Sequence, residues 1–157
     1  MSTPRSVVFQ WVLTVIVVVG LAIQALVHIY EAPAFAGNRT SVLSESALFY
    51  AEAIAAIVVG VALLVRPRWY TAAAAFVVTA AGTIAVLLYT LVDIGPIGPI
   101  PGMYDPYWAP PVKVISMIAE AVAAVAALWL AVLLYHRRRR SGSAGPASRD
   151  RALAADS

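Results

Sequence analysis

Gln24, His28 and Glu31 follow one another at intervals of four and three residues in the first apolar stretch, a spacing that puts all three on one helix face. The same periodicity aligns Glu45 with Glu52, Thr79, Thr83 and Thr90 with Asp93, and Lys113 with Ser116 and Glu120. Carboxyl, imidazole, amide and hydroxyl groups in an apolar setting can hydrogen-bond the head of an apolar ligand, such as a quinone or sterol-like molecule. They can also pass a proton between them. A His and two Glu from different helices could bind a divalent metal. Carboxylate sites in helix bundles use a Glu-x-x-His spacing, however, and "HIYE" has the order reversed. No metal or other cofactor is therefore expected. The chain has no cysteine, which excludes disulfides, thiolate ligation and thiol catalysis. It also lacks a nucleotide-binding loop and a Ser–His–Asp order, so catalysis is not the leading expectation.

The rest of the chain must hold these residues in place. Of 157 residues, 62% are hydrophobic and 12% charged, against about 45–50% and about 25% in soluble domains. The apolar residues fall in four blocks, each near or above the roughly 20 residues that a helix needs to cross about 30 Å of hydrocarbon. Long Ala-, Leu- and Val-rich blocks without internal proline read as helices, because a segment in lipid must pair its own backbone groups. The expected fold class is all-α: a four-helix transmembrane bundle, antiparallel up-down-up-down, with helices near 7–31, 44–65, 69–93 and 112–136. Residues 1–140 then form one transmembrane domain. The small, polar run 141–157 is expected to be a disordered cytoplasmic tail. Arg5 and the "AFA" at Ala34–Ala36 have the look of signal-peptide parts. The first apolar block outruns the roughly 7–15 residues of a signal h-region, so it is expected to stay as a helix.

If successive helices alternate in direction, Arg5, Arg66, Arg68, Arg137, Arg138, Arg139, Arg140, Arg149 and Arg151 share one side. Only Arg39 and Lys113 fall on the other. The positive-inside rule then places both termini in the cytoplasm, with Trp69, Tyr70 and Tyr135 as an inner aromatic belt. Directly after a membrane helix, Arg137, Arg138, Arg139 and Arg140 read as an anchor on anionic lipid, at about 1 kcal/mol per residue, rather than as a nucleic-acid patch.

In this topology Glu52 and Glu120 each lie about eight residues below the outer ends of their helices, roughly 12 Å deep at 1.5 Å per residue. A charge facing lipid costs about 2.5–3.5 kcal/mol. Both are expected to point inward and either pair with His28 and Gln24 or take up a proton. Gln24, His28, Glu52, Ser116 and Glu120 are thus the candidate site. The threonines are expected to bond their own helix backbones, and Glu31, Glu45, Asp93 and Lys113 to be solvated helix ends. The proline-stiffened loop "DIGPIGPIPGMYDPYWAPPVK" is expected to lie back as a cap over the same end. Tyr104, Tyr107 and Trp108 would form that cap, and Asp93 would pair with Lys113 across its base. Ala119, Ala123, Ala127 and Ala131 form a stripe of small residues suited to close helix contact, either inside the bundle or with a second copy or membrane partner.

The stretch "AEAIAAIVVGVALLVRPRWYTAAAAFV", Ala51–Val77, has a Glu early in one helix, a Gly a few turns later, a short Arg-bearing turn and an Ala-rich next helix. In these features, carried by Glu52, Gly60, Arg66 and Arg68, it resembles the second and third helices of DoxX-like small bacterial membrane proteins. The resemblance implies four helices in a bacterial plasma membrane. It also points toward membrane redox or quinone-linked roles, since some members are described as subunits of a thiosulfate–quinone oxidoreductase. His28 and the proline loop lie outside that pattern. The functional expectation is an integral membrane protein whose outward-facing polar pocket takes a small apolar ligand or relays a proton. The rival is a non-catalytic interaction subunit that docks through its alanine face.

Overall fold

The computed structural model describes residues 4–108 and 111–142. Four helices form in it, α1 (Pro4–Glu31), α2 (Glu45–Val65), α3 (Trp69–Leu91) and α4 (Pro111–Gly142), with a 3-10 turn at Ala32–Phe35. Each of the four lies in a span long and apolar enough to cross a membrane. Among the described residues there is no strand, only two isolated bridges. The all-α four-helix architecture is the one expected.

Local chemistry sets the helix ends. The Ser44 hydroxyl accepts from the Ala47 amide (3.1 Å) and caps α2. Pro67 keeps the preceding residue, Arg66, out of the helical region (φ −138°, ψ 83°), so α2 stops at Val65. The Thr71 hydroxyl accepts from the Arg68 amide (3.0 Å) and lies 2.9 Å from the Arg66 carbonyl and 2.8 Å from that of Arg68, which fixes the α2–α3 turn. Pro111 opens α4, where its missing N–H leaves no bond unmade. Two boundaries differ from expectation. α3 ends at Leu91, with Val92 already extended, so Asp93 leaves the threonine stripe and belongs to the loop. α4 runs on through the arginine run to Gly142. The tail expected from 141 lies, beyond Gly142, outside the described residues.

On each helix a set of buried positions recurs at steps of three and four residues. They are Leu13, Val17, Leu21 and Gln24 on α1, Ala53, Ala56, Gly60 and Leu63 on α2, and Ala72, Ala75, Thr79 and Gly82 on α3. On α4 they are Ser116, Glu120, Ala123, Ala127 and Leu130. This period keeps one face of each helix turned to its neighbours. The inward faces are therefore small and partly polar, while Trp11, Val15, Leu26, Ile54, Val77, Val125 and Trp129 are exposed on the outside. That inversion of a soluble protein is what lipid requires, since packing and not burial of large apolar groups holds helices together there. α4 makes its main contacts with α3 and α1, and α1 packs on α2.

The alanine stripe lies inside the bundle. A Cβ built on Gly20 of α1 would stand 2.5 Å from the Ala123 Cβ and 3.0 Å from the Ala119 carbonyl oxygen, so α1 and α4 meet almost backbone to backbone. At one end of the bundle Arg137 donates to the Gln10 side chain, and the Trp69 and Tyr135 rings meet edge to face at 5.8 Å. The start of α1, the α2–α3 turn and the end of α4 thus share that end. The loops 32–44 and 92–108 share the opposite end, where Asn38 Nδ2 donates to the Gly102 carbonyl (2.7 Å) and Thr40 Oγ1 to that of Pro99 (2.7 Å).

Candidate functional site

Four helices contribute to one polar layer near the loop-bearing end. Gln24 of α1 and Glu120 of α4 are each 0% exposed. The Gln24 amide donates from Nε2 to Glu52 Oε1 of α2 (2.8 Å), and the Ser116 hydroxyl donates to Glu120 Oε1 one turn along α4 (2.7 Å). Gly82 of α3 makes room for the meeting. A Cβ there would lie 2.5 Å from Glu120 Oε2 and 2.7 Å from Gln24 Nε2. Both carboxyls therefore sit beside the same amide, at the common depth expected of them. Gln24 Oε1 and Glu120 Oε2 are buried and have no hydrogen-bond partner among the described residues. A buried polar atom left unpaired costs about 1–3 kcal/mol.

Above this layer is a cavity of about 530 Å³. Glu52, Gly82 and Ser116 line it where it meets the polar layer, and its walls are largely apolar, with Val27, Leu48, Phe49, Ala85 and Val86. The Phe49 ring stands edge to face with His28 (5.2 Å) and with Phe35 (5.1 Å), so three rings form one wall. His28 does not pair with either carboxyl, contrary to expectation. Its Nδ1 lies 2.9 Å from the Gln24 carbonyl of its own helix, which can only accept, so Nδ1 carries the proton. The imidazole sits one turn nearer the loops than Gln24, and its own backbone satisfies it before a carboxyl can. Among the described residues no three His, Asp or Glu side chains gather as a metal would need.

The proline loop does cover this end, with different residues from those expected. Ile100, Met103 and Asp105 line the cavity, whereas Tyr104, Tyr107 and Trp108 do not line it and are exposed. Ties to the rest of the end choose the inward side. Gly98, at φ +57°, lets Ile97 and Ile100 exchange backbone hydrogen bonds of 3.0 Å, and the Asp105 amide donates to the Tyr89 carbonyl (2.9 Å). The expected Asp93–Lys113 pair is replaced. Lys113 Nζ donates to Asp105 Oδ2 (3.0 Å), to the Asp105 carbonyl (2.7 Å) and to that of Tyr107 (3.0 Å), while Asp93 accepts from the Gly95 amide. Lys113 is thus the peg that holds the loop. Glu45 is not a solvated end either. It is 6% exposed and takes a 2.6 Å hydrogen bond from Asn38, the residue that also grips Gly102. Two of the threonines act as expected, Thr79 donating to Ala75 (2.8 Å) and Thr83 to Thr79 (2.9 Å), both within α3, whereas the buried Thr90 hydroxyl has no hydrogen-bond partner among the described residues.

No family model, curated protein or solved structure matches the chain. What the site does must therefore be argued from its geometry. Spacing had not singled out Gly82, Phe49, Asn38 or Asp105. Of these only Gly82 left a signal, as a glycine inside a helix, where it costs about 1 kcal/mol against alanine without a packing reason. The loop's inward side chains yield a direct test. Removing both Ile100 and Met103 side chains to alanine should speed labelling of Glu52 by an apolar carbodiimide several-fold. The Tyr107→Ala, Trp108→Ala pair should leave that rate unchanged. A faster rate in the second pair alone would restore the aromatic cap.

Proposed function

We propose that this is a multi-pass protein of the bacterial plasma membrane with cytoplasmic termini, whose outward cavity holds one small ligand with an apolar body and a hydrogen-bonding head. The head is quinone- or lipid-like and engages Glu52 and Ser116, backed by Gln24 and Glu120. One observation carries this reading. A cavity of about 530 Å³, within the range of about 300–1,000 Å³ usual for ligand sites, has apolar walls and a polar patch built from three helices. The DoxX-like resemblance of Ala51–Val77 points in the same direction.

Relay of a proton through the whole bundle has less support. Beyond Glu120 the buried residues are mostly alanine, leucine and valine, and the hydroxyls of the buried Thr14 and Thr71 are engaged by backbone carbonyls. Thr79 is there too, but its hydroxyl is engaged by its own helix. Protons could be exchanged with the cavity and would go no further. The interaction-subunit reading would need a face other than the alanine stripe, which α1 occupies.

Protein purified from native membranes and extracted with organic solvent should release about one quinone or lipid species per chain above an empty-nanodisc control. The Glu52→Gln, Glu120→Gln double variant should release at least about tenfold less, because a single lost charged hydrogen bond is already worth about 1.5–3 kcal/mol. Equal recovery from a normally folded double variant would remove the ligand reading.

A further inference from the structure

The opposite end of the bundle carries a second cavity, of about 470 Å³, which the outer site does not involve. Arg66 and Arg68 from the α2–α3 turn and Arg138 from α4 line it, with Val65, Leu134 and Trp69 among the other walls. Two of the guanidinium groups spring from a backbone that Thr71 pins through both of their carbonyls. The four consecutive arginines of α4 have separate surroundings. Arg137 turns inward to Gln10 and Arg139 stacks over the Tyr135 ring at 5.0 Å, while Arg138 alone of the four lines the cavity.

Three cations around one cleft repel one another unless an anion joins them. The described residues do not supply it. Their six carboxyl groups are Glu31, Glu45, Glu52, Asp93, Asp105 and Glu120. All belong to the polar layer or to the loop-bearing end, and the one ion pair they form with a lysine or arginine is Asp105–Lys113. The start of α3, a helix of 23 residues, adds the positive end of its dipole at the same place. The planar guanidinium fork fits phosphate oxygens in pairs. Apolar surface runs away from the cleft along α2, through exposed Val65, Val61 and Val58, which share one helix face. Free phosphate has no use for that surface, and acyl chains do.

We propose that this cleft is a binding site for the phosphate group of one anionic phospholipid, held by Arg66, Arg68 and Arg138. Its acyl chains lie along the adjoining α2 surface. Trp69, Tyr70 and Tyr135 then sit at headgroup depth, where amphipathic rings belong. The site differs from a diffuse attraction of lipid to the arginine run, because it assigns the contact to one arginine of that run and two from elsewhere in the chain.

The test is native mass spectrometry of the full chain from mixed micelles containing phosphatidylglycerol or phosphatidylcholine. Wild type should retain one phosphatidylglycerol, and phosphatidylcholine should be lost at the same collision energy. Arg68→Gln and Arg138→Gln should each weaken retention about tenfold, while Arg140→Gln, with the same change in charge, stays within about twofold. If the glutamine variants do not accumulate, Arg138→Lys keeps the charge without the fork and should still weaken retention about threefold. Equal loss in the Arg140→Gln control would overturn the site in favour of diffuse attraction. Displacement of the lipid by millimolar inorganic phosphate would overturn the lipid as its source. Unchanged retention in Arg138→Lys, or in both glutamine variants, would overturn the residue assignment.

Discussion

Gly20→Ala should lower the stability of the bundle by about 1–3 kcal/mol, while Gly60→Ala leaves it unchanged or raises it by up to about 1 kcal/mol. Both glycines are buried in helix interiors, and alanine is the better helix former at each by about 1 kcal/mol. Space separates them. The new methyl at Gly60 would meet only Leu21, at 3.7 Å and 3.9 Å, which is ordinary contact. At Gly20 it would stand 2.5 Å from the Ala123 Cβ and 3.0 Å from the Ala119 carbonyl. Neither of those atoms can swing aside, since one is fixed to the backbone and the other belongs to it. Relief requires α1 and α4 to part, which loosens the seam through Ala123 and Ala127 and separates Gln24 from Glu120 a turn away. Unfolding of purified protein by SDS in mixed micelles measures both variants. Equal midpoints would mean that the α1–α4 approach is not as close as described.

The spans of the four helices were legible because an apolar block of that length has few other uses. The inward direction of Gln24, Glu52, Ser116 and Glu120 was legible for a related reason, since a charge facing lipid costs several kcal/mol and the spacing leaves each helix one inward face. Partner choice within the layer was not. His28 had two ways to be satisfied, a carboxyl across the bundle or the carbonyl one turn back on its own helix, and periodicity cannot weigh a local bond against a distant one. The loop was harder still. Which of its residues face the cavity depends on Asn38 reaching Gly102, 64 residues away, and on Lys113 choosing Asp105 over Asp93. Glycine shows the limit most plainly. Gly20, Gly60 and Gly82 are alike as glycines within apolar helices, yet at only two of them does a neighbour stand where a side chain would go.

Replacing Ser116 by Ala and Glu120 by Met together should leave stability unchanged or raise it by up to about 2 kcal/mol, and should abolish ligand recovery. The pair is joined by one hydrogen bond, so removing both members strands neither, and the buried Oε2 that lacks a partner disappears with them. Methionine is unbranched like glutamate and adapts to irregular space, so it can follow the same path past Gly82. Gln24 keeps its bond to Glu52. A purely structural role predicts the opposite, a loss of about 0.6–2 kcal/mol for an interhelical polar contact, with recovery of any bound molecule unaffected. The two readings thus differ in the sign of one measurement and in the presence of a signal in the other. A functional site often keeps polar groups that a more stable protein would discard. Glu120 fits that description, with a carboxyl wholly inside the bundle, one oxygen bonded to Ser116 and the other waiting on a donor. A less stable double variant that still yields its quinone or lipid would make Glu120 a structural residue and leave Glu52 to carry the site alone.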